Sequence, residues 1–175
     1  MKWNRTWQGQ DGMLSEQNGQ LVLHYVENME VYAGRKSARA FDLTDSQIIL
    51  EVPVTPANTL QGSFGIDLNG PGDNDVELFL EEGTLKFGVD IAGVDKELGS
   101  IAYSPDQHRW WRIRHAANSV FWETAPDGKT WTTRLEVSPP PVPVNHLDVE
   151  IEGGTWIPQV APGEARADNL NLPPQ

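Results

Sequence analysis

The chain has 175 residues, no cysteine, and 25 acidic against 13 basic side chains, for a formal net charge of -12. A chain of that length can bury a core without covalent staples, and the absence of thiols excludes disulfides, thiolate metal sites and a cysteine nucleophile. The acidity argues against a nucleic-acid partner, because phosphate binding wants a basic face, and suits a surface that holds cations or neutral polyols.

No apolar run approaches the ~20 residues of a membrane helix, so no membrane insertion is expected. The opening MKWNRTWQGQDGM lacks the apolar stretch of a secretory leader. Export is therefore expected to rest on lysis, on a signal outside this sequence, or on a larger assembly.

In chain order the pattern is period two, and no amphipathic helix stands out. QLVLHYV sets Leu21, Leu23 and Tyr25 against Val22, His24 and Val26. QIILEVPV puts Ile48, Leu50, Val52 and Val54 on one face, with Pro53 predicting a free edge or a bulge near the strand's end. GSFGIDL sets Phe64, Ile66 and Leu68 against Ser63, Gly65 and Asp67. In DVELFLEEGTLKFGVDI a two-residue Glu82-Gly83 turn pairs Leu80 with Leu85, Leu78 with Phe87 and Val76 with Val89. The other face of that hairpin then carries Asp75, Glu77, Phe79, Lys86 and Asp90, a clean separation that supports the register.

Further on, a turn at Ala117-Asn118 pairs Ile113 with Trp122, Trp111 with Thr124 and Arg112 with Glu123. The opposite charges face each other favourably. Trp111 and Trp122 are expected in the core, as is Trp131 over its APDGKTW turn; Trp110 falls on the polar face with Arg112, Arg114, Phe121 and Glu123. SPPPVPV reads as a polyproline-like loop within one domain spanning residues 1–175, since the patterned strand HLDVEIE follows it. Many short strands with Gly, Pro and Asn punctuation predict an all-β sandwich or barrel.

HRWWRIR…VFWETAPDGKTWTT resembles a stretch that recurs in laminin-G-like, concanavalin A-like lectin/glucanase domains of bacteria and their phages. ARAFDLTDSQIILEV resembles the family's segment entering a strand, and GEARADNLNL its closing strand. Ala125 stands where serine is common there, and Ala117-Asn118 where a Gly-Gly turn is common. The resemblance implies an antiparallel jelly-roll sandwich of two sheets. It also implies an appendage role: a lectin-like or adhesion unit on a secreted enzyme, surface protein or phage tail.

Three groups of residues could carry chemistry. Asp75, Glu77 and Asp90 share a face, with Asp67 projecting the same way. Residues two apart on a strand lie about 7 Å apart, a range at which paired carboxyls can act in glycoside hydrolysis. The glucanases of the superfamily carry E-x-D-x-x-E, however, and this strand reads D-x-E-x-x-x-E, so no catalytic role carries over and a solvated acidic face is the plainer reading. The loop DLNGPGDND offers Asp67, Asn69, Asp73 and Asp75 as oxygen ligands for Ca2+, against a turn whose Asn, Gly and Asp serve conformation alone. Trp110 beside Arg112 and Phe121 could stack a sugar ring while polar groups take its hydroxyls, against a Trp110 covered by the proline run.

The histidines are scattered, and neither a nucleophile elbow nor a phosphate loop is present. The expectation is a non-catalytic carbohydrate-binding or adhesion module, extracellular, on a cell surface or in a virion, not an enzyme. Its partner would be a glycan or cell-surface polysaccharide. The site would comprise Asp75, Glu77, Asp90, Trp110, Arg112 and Phe121 if the two hairpins lie in one sheet. A structural module contacting other subunits is the alternative, and a glycosidase using the acids a more distant one.

Overall fold

The computed structural model describes residues 3–171, with side chains from residue 6. Its strands are β1 (Trp3–Gln8), β2 (Leu14–Gln17), β3 (Gln20–His24), β4 (Tyr32–Ser37), β5 (Gln47–Val54), β6 (Gly62–Gly70) and β7 (Asn74–Glu81). They continue with β8 (Thr84–Ile91), β9 (Val94–Ala102), β10 (Trp110–Ala116), β11 (Ser119–Ala125), β12 (Thr132–Val137), β13 (Asp148–Thr155) and β14 (Glu164–Asp168). One short helix, α1 (Pro105–His108), lies between β9 and β10.

The strands form two antiparallel sheets of seven. The first runs β1-β4-β13-β6-β7-β8-β9 and the second β12-β11-β10-β5-β14-β3-β2. Two meanders, β6 to β9 and β10 to β12, sit in different sheets, and other connections cross between them. This is the expected all-β jelly-roll sandwich.

Both hairpin registers agree with the sequence reading: Leu78 faces Phe87 across β7–β8, and Ile113 faces Trp122 across β10–β11. The bulge expected near Pro53 appears as a register shift between β14 and β5. In the closing segment only Glu164–Asp168 is strand, and Leu172 lies outside the described residues.

The alternating apolar positions of the two sheets meet in one core. Trp111 and Trp122 are 1% and 0% exposed, packed with Phe64, Phe87, Leu50 and Leu78. Both of these core indoles also find an acceptor for their polar N–H. Trp111 donates to the His108 carbonyl at 2.8 Å, and Trp122 reaches across the sandwich to the Glu77 carbonyl at 2.7 Å. Val142 and Val144 of the proline loop are buried in the same core, and the Leu43 N–H donates to the Val144 carbonyl.

Trp131 departs from expectation. It is half-buried on the outer side of the second sheet, with the Arg112 guanidinium 4.1 Å above its ring.

Candidate functional site

The six residues expected to form one saccharide site are divided between the two sheets. Asp75, Glu77 and Asp90 lie on the outer face of the first, while Trp110, Arg112 and Phe121 lie on the outer face of the second. Periodicity orders side chains within a hairpin but says nothing about which sheet that hairpin joins. Here the chain leaves β9 through α1 and changes sheet.

The second sheet's group is closed upon itself. Trp110 is 4% exposed and lies under the turn after β11: a Cβ on Gly128 would stand 2.8 Å from the indole Cδ2. The cover is therefore that turn, not the proline run. Arg112 and Arg114 both bond Glu123, at 2.6 and 3.0 Å, and Arg114 stacks 4.0 Å over Phe121. Burial pushes the Glu123 carboxyl up, but Arg114 and Arg112 outweigh it and hold it below the ordinary glutamate value. A fully paired carboxylate under stacked guanidiniums leaves no platform for a ring.

The first sheet's outer face is arranged in rows, because directly opposed residues of antiparallel strands project to the same side. One row runs Lys36, Glu150, Asp67, Glu77, Gly88 and Glu97. The next runs Asp148, Asn69, Asp75, Asp90 and Asp95. A third runs Trp7, Gly34, Glu152, Gly65, Phe79 and Lys86.

The glycines of this face make room for aromatic rings. A Cβ on Gly65 would meet Phe79 Cδ1 at 2.3 Å, and one on Gly34 would meet Trp7 Nε1 at 2.7 Å. One on Gly154 would meet the Tyr32 ring at 2.5 Å. Three rings thus rest on bare backbone around Glu152, and Trp7, 41% exposed, also donates its indole N–H to Glu150.

The loop residues expected to hold Ca2+ do not converge. Asn69 donates to Asp67 Oδ2 at 2.7 Å and accepts from Lys36 at 2.8 Å, so both ends of its amide are occupied. Asp75 Oδ1 accepts from the Gly70 N–H, and Asp73 sits exposed at the turn. The carboxylates that do gather are Glu77, Asp90 and Asp95, with oxygens within 4.8 Å of one another. Asp95 went unnoticed in the sequence, although an Ala92-Gly93 turn places it directly opposite Asp90 by the same hairpin reading.

These acids raise one another's pKa. Burial, then Asp90 and Asp95, push Glu77 up to about 8. Burial and Glu150 push Glu152 up to about 7 against the opposing pull of Lys36. Burial, then Asp75 and Glu77, hold Asp67 well above the ordinary aspartate value, and Asp75 and Asp90 are raised too. Among the described residues no salt bridge reaches Glu77, Asp90 or Asp95.

No family model matches the chain, and no curated protein matches it in sequence. Solved structures do match in shape. The exoplasmic/lumenal domain of VIP36, in a form with Ca2+ and Man3GlcNAc bound, is similar with a TM-score of 0.67 at 11% identity, over 95% of this chain and 80% of that one. The fold is that of the concanavalin A-like lectins and glucanases. A legume lectin-like domain from Entamoeba histolytica shares this concanavalin A-like fold, with a TM-score of 0.62 at 10% identity over 93% of this chain and 85% of its own. A family 16 glycosyl hydrolase from Mycobacterium smegmatis follows, at 0.61 and 14% over 86% and 73%. Binding proteins and hydrolases both share the concanavalin A-like fold, so the distinction between them rests on the side chains of this chain.

Proposed function

We propose that the chain is a non-catalytic glycan-binding module whose site is the outer face of the first sheet. The observation that carries this is the set of rings, Trp7, Tyr32 and Phe79, resting on Gly34, Gly154 and Gly65 beside rows of hydrogen-bonding side chains. A sugar ring stacks its C–H face on such an aromatic while its hydroxyls bond the neighbouring carboxyls and amides. Of the residues expected from sequence, Asp75, Glu77 and Asp90 belong to this site; Trp110, Arg112 and Phe121 are structural.

A binding role is favoured over hydrolysis by the pattern of acids on β7, which reads D-x-E-x-x-x-E where the glucanases carry E-x-D-x-x-E. If a divalent cation such as Ca2+ takes part, Glu77, Asp90 and Asp95 are the residues that would hold it. The module's place is outside the cell, on a bacterial surface protein or a phage tail.

The test is a glycan array run with calcium and with chelator, on the wild-type chain and on Trp7→Ala and Phe79→Ala. Binding that both substitutions abolish supports the reading, and signal lost only in chelator assigns a metal to it. A folded protein that leaves the array blank in both buffers sinks the reading in favour of a structural module. Release of new reducing ends from a bound glycan would replace it with a hydrolase.

A further inference from the structure

Between the two sheets one space is left unfilled. On the second sheet Glu16, Leu21 and Ala167 stand opposite one another on β2, β3 and β14 and project inward as one row. Facing them from the first sheet are Arg35 and Ile151, which oppose each other on β4 and β13. Protein interiors hold few voids larger than a water molecule. Here these five residues, with Leu50, Leu170 and the rim residues Gly19, Asp168 and Asn169, line a cleft of about 230 Å³.

The floor of the cleft is apolar and its mouth polar. Leu50, Ile151 and Ala167 are core side chains, and they offer water none of the hydrogen-bond partners that a buried molecule needs. At the mouth Arg35 Nη1 donates to Glu16 Oε1, crossing from one sheet to the other. Arg35 Nε is buried and has no acceptor among the described residues. Glu16 Oε2 likewise takes no hydrogen bond from them. Asp168, the other acid at the rim, is already served, by Gln20 Nε2 at 3.1 Å and the Asn169 N–H at 2.7 Å. The way in lies beside the β2–β3 turn, where the Glu16 side chain is 65% exposed and a Cβ on Gly19 would meet nothing within 4 Å.

We infer that this cleft binds a small neutral phenol, its ring on Leu50, Ile151 and Ala167 and its hydroxyl between Arg35 and Glu16. The size fits, since an apolar cavity of about 150 Å³ already takes benzene. A hydroxyl both accepts and donates. It takes the Arg35 Nε–H and gives its own proton to Glu16 Oε2, so both unmet groups are satisfied by one atom. Nη1 is the guanidinium's single tether among the described residues, which leaves Nε free to turn toward the ligand. A carboxylate in the same place can only accept, and it would stand beside two acids, Glu16 and Asp168. A bare hydrocarbon fills the floor but leaves Nε unpaired, at the cost of a buried donor without a partner. The cleft is separate from the ring-lined outer face, and its role holds whether or not that face binds a glycan.

The experiment is an amide NMR titration of the full chain at pH 7 with p-cresol, toluene and benzoate. A phenol stays neutral there, as tyrosine does with its pKa near 10. p-Cresol should move the amides of Leu21, Leu50, Ile151 and Ala167, and bind about tenfold more tightly than toluene, the ratio expected for one hydrogen bond to a charged group. Benzoate should bind more weakly than p-cresol. Arg35→Lys keeps a cation for Glu16 but removes Nε, and should erase the preference for p-cresol over toluene while toluene still binds. Ala167→Leu, which fills the floor, should abolish the binding of both. Equal binding of toluene and p-cresol by the wild-type chain overturns the inference, as does tighter binding of benzoate, which would make the cleft an anion site. Shifts confined to other amides, or none with any of the three, overturn it as well, and neither result depends on a variant folding.

Discussion

Replacing Glu77 with glutamine isolates the electrostatics of the site. In the unfolded chain this carboxyl ionises near its ordinary 4.5; in the fold it keeps its proton until about 8. Between those values the folded state binds the extra proton, so Glu77 supports stability fully at low pH and withdraws that support as pH rises through 8. At about 1.36 kcal/mol per pH unit the window amounts to about 5 kcal/mol. Glu77 is only part-buried, and solvent screening brings the expectation to roughly 2–3 kcal/mol. Glu152, pushed to about 7, adds to the same trend. Urea denaturation of wild type and Glu77→Gln at pH 5, 7 and 9, in chelator and at constant ionic strength, measures it. The two should be within about 1 kcal/mol at pH 5, where the folded side chain is still neutral and only the unfolded one has begun to ionise. At pH 9 the variant should be the more stable by roughly 2–3 kcal/mol. Parallel loss of stability in both proteins, or a wild type that gains stability between pH 5 and 9, would refute the reasoning.

The other predictions concern packing. Glu123→Ala strands Arg112 and Arg114 on the second sheet, and should cost about 3–5 kcal/mol in urea unfolding; a loss below about 1 kcal/mol would mean the guanidiniums are solvated and the network is incidental. Gly65→Ala drives a methyl into Phe79, and should cost about 1–3 kcal/mol and abolish glycan binding on the array together. Trp110→Ala should cost about 3–5 kcal/mol of stability yet leave glycan affinity unchanged in calorimetry, because the indole is buried on the other sheet.

What could be read from the sequence was local. The β7–β8 and β10–β11 registers followed from two-residue turns and alternation, because each pairs neighbours along the chain. The expected metal ligands are not gathered at Asn69, whose amide bonds Asp67 and Lys36, the latter on a strand distant in sequence. The rings on glycines needed still longer-range knowledge. Gly34, Gly65 and Gly154 lie on β4, β6 and β13, which adjoin only after strands far apart in sequence have paired. Gly65 and Phe79 were both visible in alternating strands, but nothing local said that the glycine stood directly opposite the ring. Trp110 shows the converse: its position in the alternation was right, yet the Gly128 turn folds back over it, and alternation is blind to loops.

The bond from the Trp122 indole to the Glu77 carbonyl spans the sandwich and holds the backbone of the strand that carries the candidate acids. A buried tie of that kind opposes sliding of one sheet over the other. The ring-lined face therefore forms before a ligand arrives, and little conformational entropy remains to be lost on association. If the face binds a saccharide as proposed, a module built this way would spend its binding energy on the ligand instead of on its own ordering.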